Sequence, residues 1–427
     1  MPAVSRARPG FELGLDLCVF LFLPLLTLFS RGAAPLAAVG GLCAFGLAAP
    51  EGLAPWRKLW RPAALFAALL LWGLLSAFWA VDSGRSLVME ARLLGLFAAG
   101  LALIAAAPLV AAPERLLAWF CAGLAAAVML TVIQYATLGA LTDRFLRHVF
   151  DEPALNQVEN GFALLLLPLT VTLVSRRRVV TAVLLAVPTA GVIFLLVGDA
   201  ARVGFVAGIV GALLIYLQRR WFTRAAAALA ALTVLFAPLI FPPLIGIDAI
   251  RDRAEHLAKI SLWHRLEIWS FVGARIAEHP LLGWGLDSSR AIPGGTAFIP
   301  FPSAAPPGLP GVTWLPLHPH NVTLQIWLEL GLPGAALFAL FIARLWLALG
   351  AAPWPRFYAA AVGGSLVSAC VVALGSYGLW QEWWIGSEFL TLFLILVMAR
   401  LAGEPVRKRS WISVSPSLER GAARSRR

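Results

Sequence analysis

The sequence predicts an all-α polytopic integral membrane protein of about twelve transmembrane helices, and three observations carry that prediction. The chain is 60% hydrophobic and only 13% charged, where soluble proteins carry about a quarter charged residues. Its mean hydropathy is +0.83. Apolar stretches close to the ~20 residues that cross a bilayer recur along its whole length.

Taken in order, the spans fall near 13–30, 33–50, 62–80, 92–112, 116–138, 158–175, 179–197, 203–218, 225–245, 321–350, 357–374 and 383–400. Pro24, Pro168, Pro188 and Pro238 interrupt some of them, which bundled membrane helices tolerate. Stretches such as "AVGGLCAFGLAA" and "VGFVAGIVGALL" are rich in small residues that let helices approach closely. Residues 1–402 read as one membrane domain. Residues 403–427 are basic and Ser-rich with no apolar period, and are expected to form a disordered cytoplasmic tail.

Charge orients the chain. In the twelve-span alternation, 22 of the 34 Lys and Arg residues fall on one side, eight of them between Arg400 and Arg427. The positive-inside rule makes that side, and both termini, cytoplasmic. The net charge of +12 is therefore a topology signal and a contact with anionic membrane lipids. No nucleic-acid partner is expected, because no soluble domain carries a basic face. The N-terminal arginines before an apolar stretch could mark a signal peptide, but an uncleaved anchor is expected, since removing span one would spoil the alternation. Cys18, Cys43, Cys121 and Cys370 lie inside apolar segments and suggest neither disulfides nor a metal site.

Residues 246–320 form the one long loop, and it faces outward. Its first half has helical spacing, with Leu262, Leu266, Trp269 and Ile276 near one face. Trp263 and Trp269 suit an amphipathic helix lying at the membrane interface. The second half is Gly/Pro-rich and irregular, and a loop of that length is functional or disordered.

Charges at a membrane edge cost about 2.5–3.5 kcal/mol each, so each asks for a reason. The outer side carries Asp199 and Arg202 in "GDAARVGF", Arg147 and His148 in the 146–160 loop, His264-Arg265 in the long loop, and His318 and His320 before span ten. Singly, each has a plain explanation. Arg202 can snorkel to head groups, Arg265 can decorate an interfacial helix, and His318 can be a polar residue of a Pro-bounded turn. Asn321 reads as a helix cap, which leaves His320 unexplained. Together they describe a positive pocket beside a group that titrates near neutrality. Two arginines offer forked donors for phosphate oxygens. A histidine with an ordinary value near 6.5 is a natural proton acceptor, so activity is expected to rise with pH through the neutral range. Outside the membrane there is no nucleotide sugar, so an activated phosphate must arrive on a lipid. A paired-carboxylate arrangement and metal-ligand spacing are both lacking from the sequence pattern, and no cofactor or metal is expected.

"GDAARVGF", "RLEIWSFVGARIAEHPLLGWGLDSSR" and "HPHNVTLQIWLELGLPGA" resemble the O-antigen ligase and polymerase superfamily, over roughly 195–350 as motif and over the whole chain as topology. The resemblance implies a GT-C-like, inverting, metal-independent glycosyltransferase. Its donor would be O-antigen on undecaprenyl diphosphate and its acceptor the lipid A–core oligosaccharide, meeting at the periplasmic face of the inner membrane. Carried over by residue, Arg202 and Arg265 match the family's diphosphate-binding arginines and His320 the histidine of its HN pair. His318 is the second catalytic candidate. Arg147, His264, Asn321 and Gln325 are possible pocket residues, while Glu329 is better read as structural. The sequence departs at Ala201, where members often show serine before the arginine. The HPLLGWG turn is expected to shape the pocket, because its glycines permit tight backbone conformations.

Two other readings stay open. A polymerase would use the same donor but accept on another lipid-linked repeat. A lipid-diphosphate transporter could also use an outer basic pocket, although transporters often show inverted repeats and midplane sites, and here the charges gather at one face.

Overall fold

The computed structural model describes residues 2–57, 59–146, 155–196, 198–250, 260–301 and 311–403. Arg147 and all of the expected tail except Gly403 lie outside the described residues. The chain is almost wholly helical: α1 (Pro2–Leu28), α2 (Ala33–Ala48), α3 (Trp60–Ser76), α4 (Ser83–Ala106), α5 (Pro113–Ala136), α6 (Asn156–Ser175), α7 (Val179–Leu195), α8 (Asp199–Leu235), α9 (Ile260–Glu278), α10 (Val322–Ala351), α11 (Arg356–Gly375) and α12 (Glu382–Gly403). All of them except α9 grow from the apolar stretches. The protein is thus an all-α polytopic membrane protein.

Among the described residues, nine helices are long and apolar enough to cross a membrane, rather than twelve. The difference has two sources. The apolar segments Ala63–Ser76 and Val179–Leu195 are shorter than the others. The expected eighth and ninth spans are joined in α8, 37 residues long, across non-helical Gln218 (φ −142°, ψ 63°). Its two arms run in opposite directions. Before Gln218, Gly204 lies against Ser368 and Ile215 against Gly363 of α11. After it, Arg219 donates to the Leu349 carbonyl near the end of α10, and Trp327 near the start of α10 donates to Val234, 2.8 Å. Both ends of α8 therefore reach the end of the bundle where α10 begins.

The long loop folds back on itself. Trp263, Leu266, Ile268, Trp269, Val272 and Ile276 of α9 are buried with Ile299, Leu315, Leu324 and Leu328. Trp263 and Trp269 are only 5% and 8% exposed, so they do not lie on an interfacial face as their spacing suggests. The Gly/Pro-rich half of the loop covers them together with Phe241 and the start of α10. It supplies a short antiparallel pair, β1 (Phe298–Ile299) and β2 (Val312–Thr313), with Phe298 opposite Thr313.

The HPLLGWG turn docks on a break in α10. Gly331 has φ 61° and ψ −160°, and Pro333 follows it. Proline lacks an amide hydrogen and crowds the carbonyl four residues earlier, which frees α10 carbonyls. Trp284 N–H bonds Leu328 O (2.9 Å), Gly285 N–H bonds Glu329 O (2.8 Å) and Leu332 N–H bonds Pro280 O (3.0 Å). Trp72 Nε1 bonds Leu330 O at 2.9 Å. Gly283 has φ +69°, and a Cβ there would lie 2.5 Å from the Glu329 carbonyl. Gly283→Ala is therefore expected to destabilise the protein by about 1–3 kcal/mol through strain and overlap. Thermal unfolding of the purified variant checks this; an unchanged midpoint contradicts it.

Candidate functional site

The site is built at the N-terminus of α10. Asn321 caps that helix: its Oδ1 accepts from Thr323 N–H (3.0 Å), Leu324 N–H (3.1 Å) and the Thr323 hydroxyl (2.6 Å). The cap explains why the polar run HPHN ends where the helix starts. His320, just outside, has φ 53°, a left-handed conformation that a side chain adopts only when its surroundings impose it. They do. Its Nδ1 lies 2.5 Å from the Ser376 carbonyl, in the turn between α11 and α12.

That contact determines a tautomer. A carbonyl only accepts, so Nδ1 carries the hydrogen and Nε2 of the neutral ring keeps its lone pair. His318 is the reverse case. Its Nδ1 accepts the His320 backbone N–H at 3.2 Å, and its Nε2 sits 3.2 Å from the Gln381 side-chain amide. With Nδ1 accepting, Nε2 must donate, so Gln381 presents its carbonyl oxygen to it. This arrangement also gives a partner to Gln381 Oε1, which is otherwise buried without one. Both nitrogens of His318 are occupied, and its ring stands 4.3 Å from that of His320, centroid to centroid.

Burial, first, and neighbouring charges, second, depress both imidazoles. His318 falls from 6.5 to about 2, by burial and then by His320, Arg290 and Arg265. His320 falls to about 4, by burial and by the Arg265 and His264 charges, against the opposing Ser376 hydrogen bond. Because these folded-state values lie below the unfolded 6.5, the stabilisation they carry is complete above pH 6.5. It is lost as pH falls from there through about 4 for His320.

Arg265, on the second turn of α9, approaches the histidines. Its Nη1 donates to Ser261 Oγ at 2.6 Å, while its Nε is buried with no hydrogen-bond partner. Burial lowers its affinity for the proton, and the Asp199 carboxylate opposes that shift. Arg202, in the first turn of α8, lies 3.6 Å from the same Asp199 and donates to Ile193 O at 3.4 Å. The Asp199 carboxylate thus acts on the charge of both arginines, and the Arg265 charge acts on both imidazoles. Tyr377 accepts from Asn160 Nδ2 at 2.8 Å, and burial raises its hydroxyl well above the usual value, so it stays protonated.

The remaining predicted residues are structurally engaged. His264 Nε2 bonds Thr313 O at 2.8 Å, pinning β2 to α9, and burial depresses its value. Gln325 accepts from Leu379 N–H (2.8 Å) and donates to Glu329 (3.1 Å), so it joins α10 to the α11–α12 turn, and it also lines a narrow cavity beside His318 and Gln381. Glu329 is fully buried and also receives Asp287 N–H (2.7 Å), Ser289 Oγ (2.5 Å) and Trp380 Nε1 (2.6 Å). Arg147 lies outside the described residues. Ser376, Tyr377 and Gln381 were not singled out in the sequence. Their only signal is "GSYGLWQ", a polar-aromatic turn between two spans.

Residues 182–339, which include both arginines and the His318–Glu329 stretch, match the O-Antigen ligase family model. A Rickettsia conorii protein provisionally named a polysaccharide ligase is 31% identical over 292 residues, covering 65% of this chain and 66% of its own length. A Rickettsia typhi protein with the same kind of name is 30% identical over 284 residues, with the same coverage. The match thus spans just under two thirds of these relatives. Residues 182–339 of the chain thus carry an O-antigen ligase family domain.

Proposed function

We propose that the protein is a glycosyltransferase that moves O-antigen polysaccharide from undecaprenyl diphosphate to the lipid A–core oligosaccharide, at the periplasmic face of the bacterial inner membrane. The observation that carries this reading is the pairing of His320, whose Nε2 keeps its lone pair, with Arg265, whose buried Nε lacks a partner. Arg265 and Arg202 hold the donor diphosphate, the free guanidinium edges replacing water around its oxygens. His320 Nε2 takes the proton of the acceptor hydroxyl as its oxygen bonds the anomeric carbon from the face opposite the leaving group. The bond from that carbon to the diphosphate oxygen breaks, and the electron pair leaves on the lipid diphosphate, where the arginines stabilise the growing charge. The reaction needs no metal in this scheme, since guanidinium charge serves the leaving group. His318 orients His320 and takes no proton.

Reconstitution of the full chain with lipid-linked O-antigen and lipid A–core tests it. A mass increase of the core lipid is the expected result. Elongation of the lipid-linked donor alone would make the protein a polymerase, and movement of intact donor across the bilayer a transporter. The compartment has its own test: reporters fused at Arg178, Arg220 and Arg427 are expected to be cytoplasmic and one inserted at Gly308 external, and an external signal at Arg220 reverses the topology.

The pH profile follows from His320. Its depressed value replaces the rise through neutrality that an ordinary histidine would give. With the ring neutral above about 4, kcat/KM is expected to be flat through the neutral range and to fall only in acid. A bound diphosphate adds negative charge beside the imidazole and favours its protonated form, so the acid limb of kcat should lie at higher pH than that of kcat/KM. A kcat/KM limb centred near 6.5 contradicts this.

A further inference from the structure

A concavity lies close to His318, and Arg265 is not among its walls. A cavity of about 270 Å³ is lined by Gly84, Arg85, Val88, Met89, Arg92 and Asp287. It adjoins a narrow neck of about 10 Å³, which shares Met89 and Asp287 as walls and reaches Arg290, Gln381 and His318. A neck of that volume has room for a single water. The proposed mechanism uses none of these side chains except His318.

The walls are held rigidly. Asp287 has φ 56°, and its N–H donates to the buried Glu329 carboxylate at 2.7 Å. The Leu286 amide donates to Ser76 Oγ (2.9 Å), and Ser86 Oγ donates to Leu286 O (2.6 Å), tying this turn to α3 and α4. The charges are balanced. Arg85 lies 3.5 Å from Asp82 and 3.9 Å from Asp287, Arg92 lies 2.7 Å from Glu382, and Arg290 lies 3.2 Å from Asp287. Three guanidiniums thus face three carboxylates, which leaves no excess positive charge to draw a phosphate. Planar donors and acceptors in alternation, beside the apolar Val88 and Met89, instead match a sugar ring, whose hydroxyls donate and accept around its edge while its C–H faces are apolar.

We propose that this cavity binds an uncharged sugar ring of the acceptor glycolipid, on the His318 side of the base, while the diphosphate donor occupies the Arg202–Arg265 side. The assignment rests on the transferase reading only for the word acceptor; binding is measured without turnover. Purified full-length protein is titrated with lipid A–core glycolipid, with no donor present. Wild type and the Arg85→Ala/Arg92→Ala double variant are compared, and Asp287→Asn is the second variant. Arg85 and Arg92 are 42% and 58% exposed, so their removal leaves the core intact.

Each variant is expected to weaken glycolipid binding about 10- to 100-fold, the effect of losing hydrogen bonds to a charged group. The loss should persist on enzymatically dephosphorylated glycolipid and disappear on glycolipid lacking its outer sugars. Unchanged binding by the double variant overturns the proposal. A loss confined to the phosphorylated glycolipid also overturns it, because the cavity is then an anion site. A raised KM for the lipid-linked donor in the transfer reaction assigns the cavity to the donor and overturns it as well. If wild type binds the glycolipid but transfers nothing to it, the transferase reading fails while the sugar site stands.

Discussion

His320→Ala is expected to lower glycan transfer by about 10²- to 10⁴-fold, the usual effect of removing a general base, while leaving the protein folded and able to bind lipid-linked donor. The structural reason is that His320 lies before the capped helix start rather than within it. The Asn321 bonds to Thr323 and Leu324 that begin α10 do not involve the imidazole. The substitution removes the Nδ1–Ser376 contact and with it the base. His318→Ala should act differently. It removes the acceptor of the His320 N–H and the partner of Gln381, loosening the base without deleting it, so its loss of rate should be the smaller of the two. Purified His320→Ala transferring glycan at near wild-type rate would show the ring to be structural.

The Arg202→Ala/Arg265→Ala double variant is expected to lose transfer to a comparable degree, with donor affinity and turnover both falling. The charge they stabilise is partly present in the bound diphosphate and grows as the bond breaks. Arg265 should dominate. Its Nε is buried and unpartnered, so a bound phosphate oxygen would satisfy a group that the protein leaves bare, whereas Arg202 already bonds Ile193 O and pairs with Asp199. Arg265→Lys should also be markedly impaired, since a point charge replaces a planar fork. Donor titration and initial rates separate the two effects. Wild-type activity in a correctly inserted double variant would sink the pocket assignment.

Much of the fold was legible because membrane helices are written in long apolar runs, and the starts of α4, α6, α10 and α12 fall within about ten residues of where those runs begin. The reversal at Gln218 was not, in its detail. Both arms of α8 are apolar, and only their contacts with α10 and α11 show one bent element where two separate spans were expected. The tryptophans of α9 illustrate the same limit. Spacing places Trp263 and Trp269 on an apolar side but does not name what covers it, and the cover proved to be the loop's own second half together with Phe241 and the start of α10.

The sequence by itself determined that this is a polytopic helical membrane protein, that Asn321 begins a helix, and that histidines and arginines gather near one end of it. Hydropathy and capping are local properties, so they survive without the fold. The tertiary structure alone decided what those side chains can do. Whether Nδ1 or Nε2 of His320 holds the hydrogen depends on a carbonyl 56 residues away, and its value near 4 depends on how completely the surrounding helices exclude water. Gln325 faces inward because Leu379 and Glu329 claim it. These are consequences of burial and of partners distant in the chain, and no local pattern encodes either.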